Sequence, residues 1–231
     1  MHDTYPANTE GKDYIVSDLH GCYHDFYVLL QEIGFDKKVD RMFSVGDLVD
    51  RGPDSYKCLL LMYEPWFMPV KGNHEDLFHD AICGDGMYIW TMNGGNWHDR
   101  DDVLIGDVAN DANDLPTFIT LEHESGKRIG ICHAEAPTGD WDDVDNIDED
   151  SREHAAAIWG RTRIKYGSNH VDNIDYTVHG HTIIKQPYVV GNSLYIDTGS
   201  FLGLDKFEGH DGHITIISVD DLCSGMYDNC K

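Results

Sequence analysis

Apolar residues run along this chain in short blocks, each closed by a glycine or a polar residue, and the spacing changes character after residue 83. Residues 13–17 (DYIVS) form a brief apolar run ending at Asp18, which predicts a buried strand. Next, CYHDFYVLLQEIGF sets Cys22, Phe26, Leu29, Leu30 and Ile33 on one helical face, with Gly34 as a stop. RMFSV predicts a second strand running into Gly46 and Asp47, and PDSYKCLLLMY a helix opened by Pro53. WFMPV is a third strand, followed by KGNHEDLFHDAI, a turn and then a helix. Three strand–loop–helix units in succession predict a parallel sheet with right-handed crossovers.

Beyond that point LPTFITLE, KRIGICH, YTVHGH, PYVVGNSLYIDTG and GHITIISVD are short strands with glycine or asparagine turns and few helices between them. They predict a second, largely antiparallel or mixed sheet packed on the first. The expected class is α/β, two packed sheets flanked by helices, in a single domain over residues 1–231. Residues 139–150 (GDWDDVDNIDED) are expected to form a solvated acidic loop. Calcium is the other reading of that loop, but its spacing does not match an EF-hand. Trp66, Trp97 and Trp141 are open to core, rim or interface roles.

Charge narrows the function. The chain carries 42 acids against 17 bases, a formal net charge of −25. Such a field repels nucleic acid and anionic membranes, so neither is an expected partner. It repels phosphorylated substrates too, so any phosphate chemistry needs local positive charge from arginines or metal ions. No apolar run is long enough to span a membrane. The first residues, MHDTYPANTEGKDY, have no basic region followed by an apolar stretch, and a cytoplasmic location is expected. Six scattered cysteines show no zinc-finger spacing. Cys223 and Cys230, in CSGMYDNC, are the one pair close enough in sequence to bridge or share a metal.

The predicted strand ends hold the chemistry. The first ends in SDLHG (Asp18, His20), the second in GDLVDRG (Asp47, Asp50, Arg51) and the third in GNHE (Asn73, His74). Later strands end at His133 (ICHAE) and His181 (VHGH). Ligands of open α/β sheets gather beyond the carboxyl ends of strands. Each residue also has an ordinary reading, as a satisfied buried imidazole, a helix cap or a turn. Those readings would have to hold independently at five strand ends. Mixed oxygen and imidazole donors suit Mn²⁺, Fe or Zn²⁺. There are too many donors for one ion, and two ions about 3.5–4 Å apart would use them all if one carboxylate bridged the pair.

These motifs, with 29 residues from Asp18 to Asp47 and 26 from Asp47 to Asn73, resemble the signature of calcineurin-like metallophosphoesterases. GDLVDRG…GNHE is similar to the serine/threonine protein phosphatases, and the likeness to their phage-type members runs through HGCY, NGG, ICHA, IWGRTR, GHT and YIDTG over nearly the whole chain. The resemblance implies a four-layer sandwich of two mixed sheets flanked by helices. It implies a metal held by Asp18, His20 and a bridging Asp47, and a second held by Asp47, Asn73, His133 and His181. Manganese is the expected ion, with iron or zinc as substitutes. A hydroxide between the ions would attack phosphorus in line. His74 would protonate the leaving oxygen with Asp50 orienting its ring, and Arg51, Arg161 and Lys71 would meet the phosphate. The expected substrates are phosphorylated proteins or peptides and small aryl phosphates, with no regulatory subunit evident.

The family's symmetrical diadenosine-tetraphosphate hydrolases are the alternative, but they typically have alanine where this chain has Asp50 and aspartate where it has Glu75. A catalytically silent binding module is a third reading, yet no ligand position is lost. Two departures from the usual pattern stand out. Ser17 replaces a glycine before the first aspartate, which should be tolerated, and Lys71 replaces an arginine and loses its planar fork. The acidic loop is expected near the cleft mouth, biasing against highly acidic phosphopeptides.

Overall fold

A computed structural model of the chain describes residues 1–97, 105–167, 170–203 and 211–230. The three predicted strands appear as β2 (Asp13–Val16), β3 (Arg41–Ser44) and β4 (Phe67–Pro69), following β1 (His2–Tyr5) in the chain. They pair in parallel, β2 to β3 to β4. The crossovers contain α1 (Tyr23–Glu32) and α2 (Ser55–Leu59), and α3 (Asn73–Cys83) follows β4. The helix expected over 53–63 is shorter: after Leu59 the chain tightens into a 3₁₀ turn, Leu60–Tyr63. Further helices, α4 (Met87–Met92) and α5 (Ile105–Asn113), cover the same face.

The second sheet is built from β5 (Phe118–Glu122), β6 (Arg128–Ile131), β7 (Tyr176–His179), β8 (Tyr188–Val190) and β9 (Ser193–Tyr195), with α6 (Arg152–Trp159) and α7 (Thr162–Tyr166) between β6 and β7. Its order is β1-β5-β6-β7-β9-β8, mixed in direction. Two segments break the expected division into halves. The first residues, β1, join the second sheet beside β5, parallel to it. GHITIISVD, expected in the second sheet, yields β10 (Ile216–Ser218), which closes the first sheet antiparallel to β2 before the short α8 (Val219–Cys223). Strand pairing depends on edges that come free in the fold, so sequence order does not fix sheet membership.

Alternation along the strands explains the layering. Tyr14 and Val16 face the helices with Met42 and Phe67, where they meet Phe26, Leu30, Phe78 and Trp90. Ile15, Phe43 and Val45 face the opposite way, onto Ile119, Ile129, Ile131, Val178 and Leu194 of the second sheet. A third cluster, Phe118, Cys132, Trp141, Val144 and Ala157, seals the far side beneath α6. The order is therefore helices, sheet, sheet, helix and turn: two packed sheets flanked on both outer faces, as expected.

The acidic loop is not a bare solvated insertion. Residues Trp141–Asn146 form a 3₁₀ turn whose acids point outward while Trp141 and Val144 are buried. Trp141 donates its indole N–H to Thr120 at 2.7 Å. Trp66 and Trp97 are buried as well, so all three tryptophans belong to cores. All six cysteines are free thiols. Among the described residues no helix is long and apolar enough to cross a membrane.

Candidate active site

Five predicted strand ends converge on one buried rim. Its backbone is locally strained: of the six described non-glycine residues with positive φ, five are His20, Asp47, Asp50, Arg51 and His181. Such outliers persist only where surrounding contacts over-determine them. Those contacts are visible. Leu19 N–H and His20 N–H both donate to Asp47 O, at 3.0 and 2.9 Å. His181 N–H donates to Asp18 Oδ2 at 3.0 Å. Gly180 and Gly72 permit the close approach, since a Cβ on either would lie 1.9 Å from Asp18 Oδ1 or 2.3 Å from Asp47 Oδ1.

Asp47 is central. Its Oδ2 lies 3.5 Å from His20 Nε2, and its Oδ1 lies 3.4 Å from His133 Nε2, so the two oxygens serve opposite sides. Two groups of donor atoms share it: His20, Asp47 and His74 on one side, and Asp47, His133 and His181 on the other, each within 4.8 Å. Asn73 Oδ1 closes the second group, 3.0 Å from His133 Nε2 and 2.8 Å from His181 Nδ1. Asp18 lies beside both groups rather than inside either, and its Oδ1 is buried without a hydrogen-bond partner.

The donor set fits divalent cations. His20 and His133 face backbone carbonyls, Val49 O and Val45 O, through Nδ1 at 2.9 and 2.7 Å, which places a proton on Nδ1 and turns each Nε2 inward as the ligand atom. Carboxylate and amide oxygens face the same space. Acceptors facing acceptors repel unless a cation lies between them. In the chain alone, protons take the place of such a cation. Burial, and then Asp197, push Asp18 well above the usual carboxylate range. Burial alone would lower His133, but Asp47 outweighs it and holds the imidazole up to about 9. Burial also opposes ionisation of Asp47, yet His133 and His74 keep its carboxyl well below the ordinary value. His181 falls to about 3 through burial and then His133.

Beside this cluster stands an ordered pair. His74 Nδ1 lies 2.6 Å from Asp50 Oδ2, and both residues are essentially inaccessible. Burial pushes the Asp50 carboxyl up, and donors from His74, Trp97 and Trp90 pull it back. Arg51 donates to His20 Nε2 and His74 Nε2, both at 2.9 Å, and its guanidinium stacks over the Phe201 ring at 4.6 Å. Arg161 is exposed at the N-cap of α7, near enough for its charge to lower His181. Lys71 is buried behind the rim, its ammonium 3.3 Å from Asn113 Oδ1 and 3.8 Å from Asp76 Oδ1.

The sequence pattern of the calcineurin-like phosphoesterase family matches residues 14–185, a span that holds every one of these strand ends. The chain belongs to that family. The phosphoesterase is 32% identical over 197 residues to a protein of Salmonella typhimurium named serine/threonine-protein phosphatase 1, covering 82% of this chain and 87% of the relative. It is 33% identical over 132 residues to a symmetrical bis(5'-nucleosyl)-tetraphosphatase of Legionella pneumophila, covering 53% of this chain and 44% of that one. In fold it resembles the solved serine/threonine phosphatase from Saccharomyces cerevisiae with similarity to human phosphatase PP5. The TM-score is 0.62 at 15% identity, over 94% of this chain and 82% of that chain.

Several residues that shape the phosphoesterase site lay inside the quoted motifs but had no structural role assigned to them there. Glu75 is fully buried and accepts backbone N–H groups from Asp47 (2.9 Å), Leu48 (2.8 Å) and Gly72 (2.9 Å), bracing the Asp47 turn. Its spacing from Gly72 is that of a capping box, a signal that was available. Asp197, pushed to about 6 by burial, lies within Coulomb range of Asp18 and Asp47. The Ser17 hydroxyl is occupied in the sheet, accepting Thr215 N–H at 3.0 Å, which explains how this departure is accommodated.

Proposed function

We propose that this phosphoesterase is a metal-dependent phosphoprotein phosphatase acting on phosphoserine and phosphothreonine monoesters, with phosphotyrosine and small aryl phosphates as further substrates. The observation that carries the reading is the buried His74–Asp50 pair at 2.6 Å, set beside the donor cluster. A phosphoserine leaves as a poor alkoxide and needs a proton as the P–O bond breaks, whereas a nucleotide leaving group has less need of one.

In this reading Asp18, His20 and Asp47 hold one divalent ion, and Asp47, Asn73, His133 and His181 hold the other. Mn²⁺ suits this oxygen-and-imidazole set, and Fe or Zn²⁺ compete for it. Two such ions, when bound, activate water and neutralise phosphoryl charge. The chain's own residues supply the rest. Arg51 and Arg161 bind non-bridging phosphate oxygens, providing the local positive charge that a chain of net charge −25 requires. Lys71, held by Asn113 and Asp76, adds charge from behind rather than a contact. Asp50 orients the ring through Nδ1–H, and His74 Nε2, which accepts from Arg51 in the structure, gives a proton to the leaving oxygen once Arg51 has turned to the phosphate.

Symmetrical dinucleotide hydrolysis is the second reading, favoured by the tetraphosphatase relatives that match 27% and 53% of the chain. Purified protein with Mn²⁺ is to be assayed on a phosphoserine peptide, p-nitrophenyl phosphate and diadenosine tetraphosphate. Turnover of the peptide and the aryl phosphate is expected. Turnover of the dinucleotide alone would overturn the proposal, and turnover of none would leave a binding module.

A further inference from the structure

Both oxygens of Asp50 are committed. Oδ2 meets His74 Nδ1, while Oδ1 accepts two indole N–H groups, from Trp90 at 2.8 Å and Trp97 at 2.7 Å. The Asp50 N–H in turn donates to Ser55 Oγ at 2.9 Å, anchoring a residue whose φ is +73°. The indoles are themselves locked. Trp90 is wholly buried and Trp97 nearly so, their rings meet edge to face at 5.5 Å, and both lie against Phe78 at 5.4 and 5.3 Å. Gly95 lies so close that a Cβ there would come within 2.2 Å of the Trp90 ring. Core packing alone calls for aromatic volume. It does not call for two N–H groups converging on a single carboxylate oxygen.

We propose that Trp90 and Trp97 are positioning residues of the acid pair: their indole N–H groups fix the Asp50 carboxylate so that His74 presents Nε2 to the leaving oxygen. The inference rests on the reading of His74 as the proton donor. In the step concerned, a water-derived oxygen bonds to phosphorus as the P–O bond to the leaving group breaks, the electron pair of that bond stays on the leaving oxygen, and this oxygen takes a proton from His74 Nε2. A carboxylate held at one oxygen only can pivot about its Cβ–Cγ bond, and the ring it orients pivots with it. The loss falls on esters that need the proton and spares those that do not.

The test is a leaving-group series of p-nitrophenyl, phenyl and alkyl phosphates with Mn²⁺-loaded wild type, Trp97→Phe and Trp90→Phe. Phenylalanine keeps the ring and removes the N–H, and two variants guard against one failing to fold. Proton donation contributes about 10²–10⁴-fold, so we expect kcat to fall about tenfold or more on phenyl and alkyl phosphates, far less on p-nitrophenyl phosphate, with KM unchanged. In a His74→Asn background the tryptophan substitutions should add no further selective loss. Equal losses on every ester, or none on any, would overturn the inference. A wild type inactive on phosphopeptides would refute the substrate reading, and the synthetic series would still decide the role of the indoles.

Discussion

Replacing Glu75 with glutamine removes one charge and one acceptor from beneath Asp47. Three backbone N–H groups end on this carboxylate: Asp47 and Gly72 on Oε2, Leu48 on Oε1. Glutamine has a single acceptor oxygen. Placed over Asp47 and Gly72, it turns its own amide N–H₂ against Leu48 N–H; reversed, it leaves two donors unpaired. A hydrogen bond to an ionised group contributes about 1.5–3 kcal/mol, and an orphaned buried donor costs about 1–3 kcal/mol. These overlap, so the net loss is about 2–4 kcal/mol, which lowers Tm by about 5–15 °C in a chain of this size. Because the Asp47 turn itself loosens, Mn²⁺ affinity should fall by about tenfold or more, as when an outer partner of a metal ligand is lost. Thermal unfolding with and without Mn²⁺, with calorimetric titration of the metal, measures both. An unchanged Tm together with unchanged Mn²⁺ affinity would refute the bracing role.

Gly180→Ala drives a methyl group to 1.9 Å from Asp18 Oδ1 and 2.6 Å from Val45 Cγ2. Overpacking of this kind costs about 1–3 kcal/mol, and a metal titration should show weakened binding because Asp18 must move. His179, fully buried, is held down to about 3 by burial, opposed by its bond with Cys132 O and reinforced by Arg163. Its folded value lies below the ordinary one, so its stabilising effect is complete above about pH 6.5 and fades as pH falls toward 3. At pH 5 the loss amounts to about 2 kcal/mol, so denaturant titrations at pH 7 and pH 5 should show His179→Gln losing that much less than wild type on acidification.

What the sequence showed depended on locality. The strand ends were legible because an apolar run closing on Asp, Asn or His is a local event, and the β2–β3–β4 repeat placed three of them on one edge. The positions of β1 and β10 were not, because each pairs with a strand more than a hundred residues away, β5 and β2 respectively. In the loop at 139–150 the acids dominated the composition, while Trp141 and Val144, two apolar residues among many charges, anchor it in the core. At the site, Asp47, His20 and His133 announced themselves by residue type. The supports did not. Glu75 was legible only as the last residue of GNHE and a mark against the dinucleotide hydrolases, and the N–H groups of Trp90 and Trp97 meet Asp50 across 40 and 47 residues with no periodic signal between them.

The central claim is that Asp47 lies between two cation sites, one facing His20 and one facing His133. Anomalous diffraction at the manganese edge from a Mn²⁺-loaded crystal tests it most directly. The account predicts a pair of peaks with an Asp47 oxygen bound to each; a lone peak on one side of Asp47, or none at all, would contradict it.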